Sequence, residues 1–328
     1  MRMPTYLSPS QLSLWASNRE EYYLRHLAET RAPKIAQTNY MSIGSSFDAY
    51  VKSALYEALY GKGHNPQFEF TTIFEQQVEE HNRDWALTNG QYVFECYKKY
   101  GAYDELLAMV TQSKSDPRFE FTATGTIEGV PLLGKPDMQF IHQSGCNIIL
   151  DWKISGYCSK SPTSPAKNYK LARDCWGEDV AKPTRGGGGP HKEYKPMDWK
   201  GIEIHSGWLE DANMDWGNQL AIYSWLLGEP VGSQEVIVCI DQICGKPIGL
   251  DKPLLRIANH RARISKVHQT NLIQQLQDCW NAISKGHIFD SMTLMENAEY
   301  CEMLEKQSIL SNSADPIQKY LNNLERRV

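Results

Sequence analysis

Two acidic residues and a lysine lie near the middle of the chain, in segments that have the pattern of β-strands. Asp151 and Lys153 follow the apolar run 147–150, and because side chains alternate along a strand, both belong to the same face. Asp137 ends the segment "LLGKPD", one short hairpin earlier. The two carboxylates and the backbone carbonyl of Trp152 are hard oxygen ligands of the kind that Mg²⁺ and Mn²⁺ prefer. The spacing therefore predicts a divalent-metal site with a lysine beside it.

The tripeptide Asp-Trp-Lys occurs twice, and the two copies differ in their surroundings. The first copy is 151–153, and the second is 198–200, between Pro196 and Gly201 in polar sequence. Because no strand is predicted to hold the second copy, it is interpreted as a coincidence. For the first copy, an ordinary ion pair on the surface of a strand is the alternative, and the neighbouring Asp137 favours the metal site.

Helical spacing dominates the first third of the chain. Ser8, Pro9 and Gln11 have the pattern of a capping box with proline at the first helical position. Further helices are predicted over about 45–60 and 71–111, and Gly90 is expected to break the second of these segments.

Strand-like sequence begins at Arg118. The segment 118–155 predicts an antiparallel meander of about four strands, separated by turn signals. A helix at about 214–228, two strands ("QEVIVCIDQI" and "PLLRIANHRARI") and a helix at 265–285 follow. The predicted fold class is α/β (α+β), with a mixed β-sheet flanked by helices and an N-terminal helical region.

Three consecutive parts are predicted: a helical region over 1–115, a core over 116–290 and a helical tail over 291–328. The core includes a long loop at 157–214, whose basic and aromatic residues suit phosphate contacts and base stacking; a solvated loop is the alternative. These residues are Lys160, Lys167, Lys170, Lys182, Arg185, Lys192, Lys195, Lys200, Tyr169, Trp176, Tyr194 and Trp199. The segment "HRAR", 260–263, is a further candidate phosphate contact.

Four motifs occur in the order found in one enzyme family. "GKPD", ending at Asp137, and "DWK", 151–153, resemble the two metal-binding motifs of the PD-(D/E)XK nucleases. "QLAIY", 219–223, resembles the QxxxY motif of their RecB-like and phage exonuclease branch, and "IGSSFD", which contains 44–48, resembles its GxxxH motif. The likeness extends over most of residues 5–290 and implies a restriction-endonuclease-like core.

The resemblance also implies a set of site residues. The implied catalytic residues are Asp137, Asp151, Lys153, Gln219 and Tyr223. Asp48 stands where the family often has a metal-binding histidine, and a carboxylate is as natural a ligand of Mg²⁺. The implied ligands of one or two Mg²⁺ or Mn²⁺ ions are Asp48, Asp137, Asp151 and the carbonyl of Trp152. In the implied reaction, a water activated by the metal attacks a phosphodiester while Lys153 orients or deprotonates that water.

The cysteines do not match the iron–sulfur members of this branch. Those proteins carry one cysteine in the first helical segment and three near the C-terminus, whereas this chain has Asn18 in the first region and only Cys301 near its end. The eight cysteines also lack zinc-site spacing. We therefore expect no iron–sulfur cluster.

The function that the resemblance implies is that of a divalent-metal-dependent deoxyribonuclease acting on linear double- or single-stranded DNA. The first expectation is an exonuclease of recombination, repair or DNA degradation in a phage or mobile element. A structure-selective endonuclease, such as a resolvase or nickase, is one alternative, and a non-catalytic DNA-binding or assembly protein on the same fold is another. The partners that the family suggests are a single-strand annealing or recombination protein and further copies of the chain.

Composition sets limits on these expectations. A net charge of -5 argues against a protein that coats nucleic acid by charge alone, but it is compatible with a local basic groove. No apolar run approaches the roughly 18 to 20 residues of a membrane span, and the N-terminus lacks the apolar core of a secretory signal. We therefore expect no membrane partner and a cytoplasmic location, in a bacterium or a phage-infected cell.

Overall fold

The computed structural model describes most of the chain. The described residues are 1–31, 35–169, 171–173, 197–204, 207–247 and 251–313, with the backbone alone for 171–173 and 310–313. Two compact units make up the chain. The smaller unit consists of 1–35, 124–134 and 270–328, and the larger unit of 36–123 and 135–269.

Helices and strands alternate in blocks along the chain. The helices are α1 (Pro9–Ser17), α2 (Arg19–Tyr22), α3 (Asn39–Tyr60), α4 (Phe70–Gln77), α5 (Arg83–Lys99), α6 (Ala102–Thr111), α7 (Leu209–Ala212), α8 (Met214–Leu226), α9 (Lys266–Ser284) and α10 (Leu294–Ser313), with a π-helical turn at Tyr23–Leu27. The strands are β1 (Arg118–Phe119), β2 (Ala123–Ile127), β3 (Val130–Gly134), β4 (Met138–Ile141), β5 (Asn147–Ser155), β6 (Leu171–Arg173), β7 (Met197–Trp199), β8 (Ile202–Ile204), β9 (Val236–Lys246) and β10 (Leu254–Ala262). No helix among the described residues is long and apolar enough to span a bilayer.

The smaller unit contains α1, α2, α10, most of α9 and the hairpin formed by β2 and β3. The predicted capping box is confirmed: Gln11 N donates to Ser8 Oγ at 3.3 Å, and Ser8 N donates to Gln11 Oε1 at 3.1 Å. Glu128 and Gly129 form the hairpin turn, with φ angles of 47° and 82° of the kind that type I′ turns require.

The larger unit is built on a six-stranded mixed sheet with the strand order β1-β4-β5-β9-β10-β6. β5 pairs antiparallel with β4 and parallel with β9, and the other neighbours in this sheet are antiparallel. A mixed sheet flanked by helices was predicted and is confirmed. The predicted four-stranded meander is wrong in one respect, because β2 and β3 form a separate two-stranded sheet. Their tight turn pairs them with each other, and β2 is largely exposed.

The central strands β5 and β9 are buried along most of their length, as expected of strands covered on both faces. The main core of the larger unit joins their apolar residues to α3, α5 and α6. Phe47 of α3 and Tyr97 of α5 pack edge to face with their ring centroids 5.4 Å apart. The ring centroids of Phe47 and Trp152 on β5 are 6.4 Å apart, also edge to face. α3 and α5 therefore hold the strand that carries the first Asp-Trp-Lys.

The predicted helix break at Gly90 is wrong, because α5 continues through this position from Arg83 to Lys99. A Cβ atom on Gly90 would lie 2.0 Å from Oγ of Ser46 on α3, which is far below a van der Waals contact. The glycine is therefore explained by the close approach of two helices. Ser46 Oγ donates to the carbonyl of Ala86 at 2.8 Å in the same contact.

The segment predicted as a long loop contains regular structure. β6 pairs with β10, β7 and β8 form a hairpin, and α7 precedes α8. Seven of its predicted nucleic-acid contacts lie outside the described residues: Lys170, Trp176, Lys182, Arg185, Lys192, Tyr194 and Lys195.

The second Asp-Trp-Lys does have a strand, contrary to expectation, because its first two residues belong to β7. Its polar side chains serve the hairpin. Asp198 accepts a hydrogen bond from Gly201 N at 3.2 Å, and Lys200, in the turn, forms an ion pair with Glu235.

Candidate active site

Asp137 and Asp151 lie side by side where the β4–β5 pair ends. In the antiparallel register Met138 faces Leu150, so the residue before Met138 lies beside the residue after Leu150. The two carboxyl groups are close enough for the negative charge of Asp137 to raise the pKa of Asp151, and Trp152 N donates to Asp137 Oδ2 at 3.1 Å. The two acids predicted on neighbouring strands are thus adjacent.

Trp152 serves as the anchor of this strand. Its ring lies on the helical side of the sheet, where Nε1 donates to the hydroxyl of Tyr97 at 3.4 Å. The Trp152 N–H points toward Asp137, on the β4 side of the strand. Because the N–H and C=O of one strand residue point to the same side, the Trp152 carbonyl also faces the β4 side. The predicted backbone ligand is therefore directed past the end of β4.

The pKa values of the two acids separate. Burial raises the pKa of Asp151 to about 7, and the negative charge of Asp137 adds to that shift. Burial acts in the same direction on Asp137, but the ammonium groups of Lys52 and Lys153 and the Trp152 amide outweigh it and bring the pKa of Asp137 below its usual value. A proton shared by the pair therefore lies on Asp151.

Lys153 neutralises part of this charge. Its ammonium forms an ion pair with Asp151 Oδ2; apart from it, this buried oxygen has no hydrogen-bond donor among the residues that the structure describes. Burial lowers the pKa of Lys153, but Asp151 and Asp137 raise it by more, so the net shift is upward. The Lys153 side chain is 30% exposed, which leaves the ammonium room to move toward solvent.

The predicted pair on α8 reaches the same acid. Asn213 caps this helix by accepting from Trp216 N at 3.1 Å, and one turn places Gln219 and Tyr223 on one helical face. Gln219 Nε2 donates to Asp151 Oδ1 at 3.2 Å and lies 2.9 Å from the Tyr223 hydroxyl. Burial, followed by the charge of Asp151, raises the pKa of Tyr223 to about 12.

Asp48 on α3 joins the cluster through a lysine that lies outside the four sequence motifs. Lys52, one turn further along the helix, lies with its Nζ 2.5 Å from Asp48 Oδ2, 3.3 Å from Asp137 Oδ1 and 3.5 Å from Glu120 Oε2. Its side chain is 1% exposed. Burial, opposed in part by Lys52 and reinforced by Asp137, raises the pKa of Asp48 to about 7.

Gln77 and Glu120 complete this side of the cluster and were also missed. Gln77 Nε2 donates to Glu120 Oε1 at 2.7 Å and to Asp48 Oδ2 at 3.1 Å. Glu120 has a φ angle of 42°, an unusual backbone conformation that is commonly found at functional sites. Its N–H donates to the Asp137 carbonyl at 3.0 Å. This hydrogen bond fixes the turn that contains Glu120 beside Asp137.

The cluster has two halves that share Asp137. The Lys52 half consists of Asp48, Lys52, Gln77 and Glu120. The Lys153 half consists of Asp151, Lys153, Gln219 and Tyr223. A cavity of about 380 Å³ adjoins the shared acid, and it is lined by Gly44, Ser45, Phe47, Asp48, Gln77, Glu120, Asp137, Trp152 and Ile154.

The carboxylates do not form a preformed metal-binding site. Within the described ranges, no group of three or more His, Cys, Asp or Glu side chains is positioned to hold a metal ion. The physical reason is visible in the contacts, because the ammonium groups of Lys52 and Lys153 lie between the acids.

The "HRAR" segment is not a phosphate contact, and that prediction is wrong. His260 and Arg261 are buried, and Arg261 pairs at 2.6 Å with the buried Asp241, which also accepts from Tyr97. Arg263 is 9% exposed and stacks at 4.1 Å over the ring of Trp199. The basic residues at this strand end are used inside the fold.

Sequence signals differ among the residues that were missed. Lys52 follows Asp48 by four residues in a predicted helix, a spacing that places the two side chains together. Gln77 and Glu120 carry no comparable signal, because a helix end and a turn after a two-residue strand position them.

No protein-family model matches the sequence, and no curated protein matches it. Among solved structures, the chain is similar to the crystal structure of SSO0001, with a TM-score of 0.26 and 10% identity, over 83% of this chain and 85% of that one. It is also similar to protein VC1899 from Vibrio cholerae, with a TM-score of 0.16 and 11% identity, over 47% of this chain and 41% of that one. At these scores neither likeness carries an argument about fold or function.

Proposed function

We propose that the chain is a divalent-metal-dependent DNA nuclease with a restriction-endonuclease-like core of the PD-(D/E)XK kind. The observation that carries the proposal is the convergence of side chains from four separate motifs on one connected cluster of hydrogen bonds and ion pairs. These side chains are Asp48 on α3, Asp137 before β4, Asp151 and Lys153 on β5, and Gln219 and Tyr223 on α8. A chance pairing of surface charges would not join all four.

The Lys153 half fits a divalent cation. Asp151 Oδ2 is buried with few partners, Asp137 lies beside Asp151, and the Trp152 carbonyl faces the same side. A Mg²⁺ or Mn²⁺ ion held by these three groups would supply Lewis-acid activation of a phosphodiester and of the attacking water. The oxygen donors are of the type that both ions prefer.

Lys153 would act mainly through its charge. The two neighbouring carboxylates raise its pKa, so the side chain is an ammonium at neutral pH. An ammonium can orient a water and stabilise negative charge that develops on a phosphate, whereas proton abstraction would require the neutral amine. The structure therefore favours the orienting role of the two that the resemblance implies.

Gln219 and Tyr223 would orient the acid. Gln219 Nε2 donates to Asp151 Oδ1, which directs the other oxygen of that carboxylate toward Asp137 and Lys153. Partners of this kind fix the geometry of a metal-binding carboxylate. The Tyr223 hydroxyl, with its pKa raised to about 12, stays protonated and can hold the Gln219 amide in place.

The test is cleavage of linear and closed-circular plasmid DNA in Mg²⁺, with EDTA as the metal-free control. Loss of linear DNA alone would identify an end-dependent exonuclease, and nicking of circles would identify an endonuclease. Asp137→Asn should abolish either activity. Asp198→Asn, in the second Asp-Trp-Lys, is the matched control and should cleave normally. Folded wild-type protein that binds DNA and never cleaves it would overturn the enzymatic proposal in favour of a DNA-binding protein.

A further inference from the structure

We infer that the ammonium of Lys52 is a built-in cation that permanently fills one cation position of the carboxylate cluster. The chain then binds one divalent ion, in the Lys153 half, and not two. The inference rests on the proposed function, because it concerns the metal centre of that nuclease, and it assigns Asp48 to Lys52 and not to a metal ion.

The contacts of Lys52 are those of a coordinated cation. Three carboxylates, from Asp48, Glu120 and Asp137, approach Nζ at 2.5, 3.5 and 3.3 Å. An ammonium group has three protons to donate, so each can be directed to a different acid. The three acids come from a helix, a turn and a strand end, and one side chain satisfies all of them.

Lys52 is also held where it is. Its side chain is 1% exposed, its neighbours Val51 and Leu55 on α3 are fully buried, and its ammonium lies 5.9 Å from the centroid of the Trp152 ring. Withdrawing the ammonium would leave a buried charge without its partners, which is among the most costly changes in a protein interior. An incoming metal ion therefore cannot easily displace it.

The acids of the Lys52 half are already engaged by other donors. Gln77 Nε2 donates to Asp48 Oδ2 and to both oxygens of Glu120. In the Lys153 half, by contrast, Asp151 Oδ2 has the Lys153 ammonium as its one close partner within the described part of the chain. The capacity to accept another cation is therefore concentrated at Asp151.

The charge of the cluster supports a single ion. When its four carboxylates are ionised, as they must be to bind a metal ion, they and the two ammonium groups leave two negative charges, which one divalent cation neutralises. A second divalent cation would make a largely buried site strongly positive and would lie close to the Lys52 ammonium. Repulsion between such charges is large when little water screens them.

The experiment is a Mn²⁺ titration of the full chain without DNA, in which electron paramagnetic resonance of free Mn²⁺ gives the number of bound ions. We expect one ion for wild type and two for Lys52→Met, which removes the ammonium and keeps an apolar stem. Lys62→Met, a change at an exposed lysine outside the cluster, is the matched control and should bind one. Circular dichroism in the same Mn²⁺ buffer checks that each variant is folded.

The outcomes separate this inference from the proposed function. Two ions in wild type, or one ion in folded Lys52→Met, would overturn the inference and leave the nuclease intact. No binding by wild type at millimolar Mn²⁺ would overturn the metal centre itself. If Lys52→Met does not fold, Glu120→Gln is the variant to test. It removes one of the three negative charges around the Lys52 ammonium and should still bind one ion. Loss of that ion would show that Glu120 is a metal ligand and would contradict the inference.

Discussion

The two halves of the cluster use the same kinds of residue for different ends. Each has a lysine paired with an aspartate and a glutamine that donates to that aspartate. They differ in exposure, because the side chain of Lys52 is 1% exposed and that of Lys153 is 30% exposed. A buried ammonium is fixed and stabilises its surroundings, whereas a partly exposed one can meet a substrate. Burial, and not residue type, therefore separates the structural half from the half that we propose to be catalytic.

The largest effect should come from removing the exposed lysine. Lys153→Met should lower the rate of DNA cleavage by about 10²- to 10³-fold, the usual cost of removing one group that stabilises developing charge, and should lower the free energy of unfolding less than the loss of Lys52 does. Single-turnover cleavage rates measure it. Lys200→Met, in the second Asp-Trp-Lys, serves as the control; an equal loss of rate in that variant would remove the distinction between the two copies.

The buried lysine should act on folding instead. Lys52→Met, measured without metal by denaturant unfolding, should lose about 3–5 kcal/mol of unfolding free energy, as expected when one partner of a buried ion pair is removed. Lys153→Met should lose much less under the same conditions. If the two losses were equal, the difference in burial would not be what separates the two halves.

The two glutamines offer a finer test of the same contrast. Gln219→Ala should reduce cleavage by roughly 10- to 100-fold, since Gln219 orients the carboxylate that we propose to bind the metal ion. Gln77→Ala should leave the cleavage rate near that of wild type and lower the free energy of unfolding by about 1 kcal/mol, the net value of a typical hydrogen bond. The result against this assignment would be a Gln77 variant that folds normally and cleaves slowly.

The last prediction concerns pH. Burial and Asp137 raise the folded-state pKa of Asp151 to about 7, while the unfolded carboxyl ionises near 4. Between these two pKa values the folded state holds the extra proton, so stability without metal should fall as pH rises from about 4 to about 7, by at most about 1.4 kcal/mol per pH unit and titrating group. Asp151→Asn should reduce this slope without abolishing it, because the pKa of Asp48 is also raised to about 7. Unfolding curves across this range that show no slope in wild type would contradict the shared proton.

Sequence patterns predicted the parts of the site that lie in regular elements. Side-chain alternation places Asp151 and Lys153 on one face of a strand, and four-residue spacing places Gln219 and Tyr223 on one face of a helix. Both relations depend only on neighbouring residues, so the sequence is enough to predict them. The same strand patterns predicted the mixed sheet. They did not predict that β2 and β3, joined by a tight turn, pair with each other in a separate sheet.

The missed residues depend on long-range packing. Glu120 reaches the cluster from a turn with a φ angle of 42°, and no sequence pattern announces such a conformation at a glutamate. Lys52 was readable as the neighbour of Asp48 along the helix, but only the fold shows that its ammonium lies among three acids. The wrong assignment of "HRAR" has a similar origin, since Asp241, the buried partner of Arg261, belongs to another strand.

The contact between Gly90 and Ser46 sets the distance between the helix that carries Asp48 and Lys52 and the helix beside it. A single methyl group at Gly90, 2.0 Å from Ser46 Oγ, would force the two apart at a cost of about 1–3 kcal/mol. A substitution with no polar atom and no contact with any acid of the cluster should thus shift Asp48 and Lys52 relative to the other acids of the cluster. Gly90 is therefore a position at which the geometry of the cluster can be changed while all of its side chains are kept.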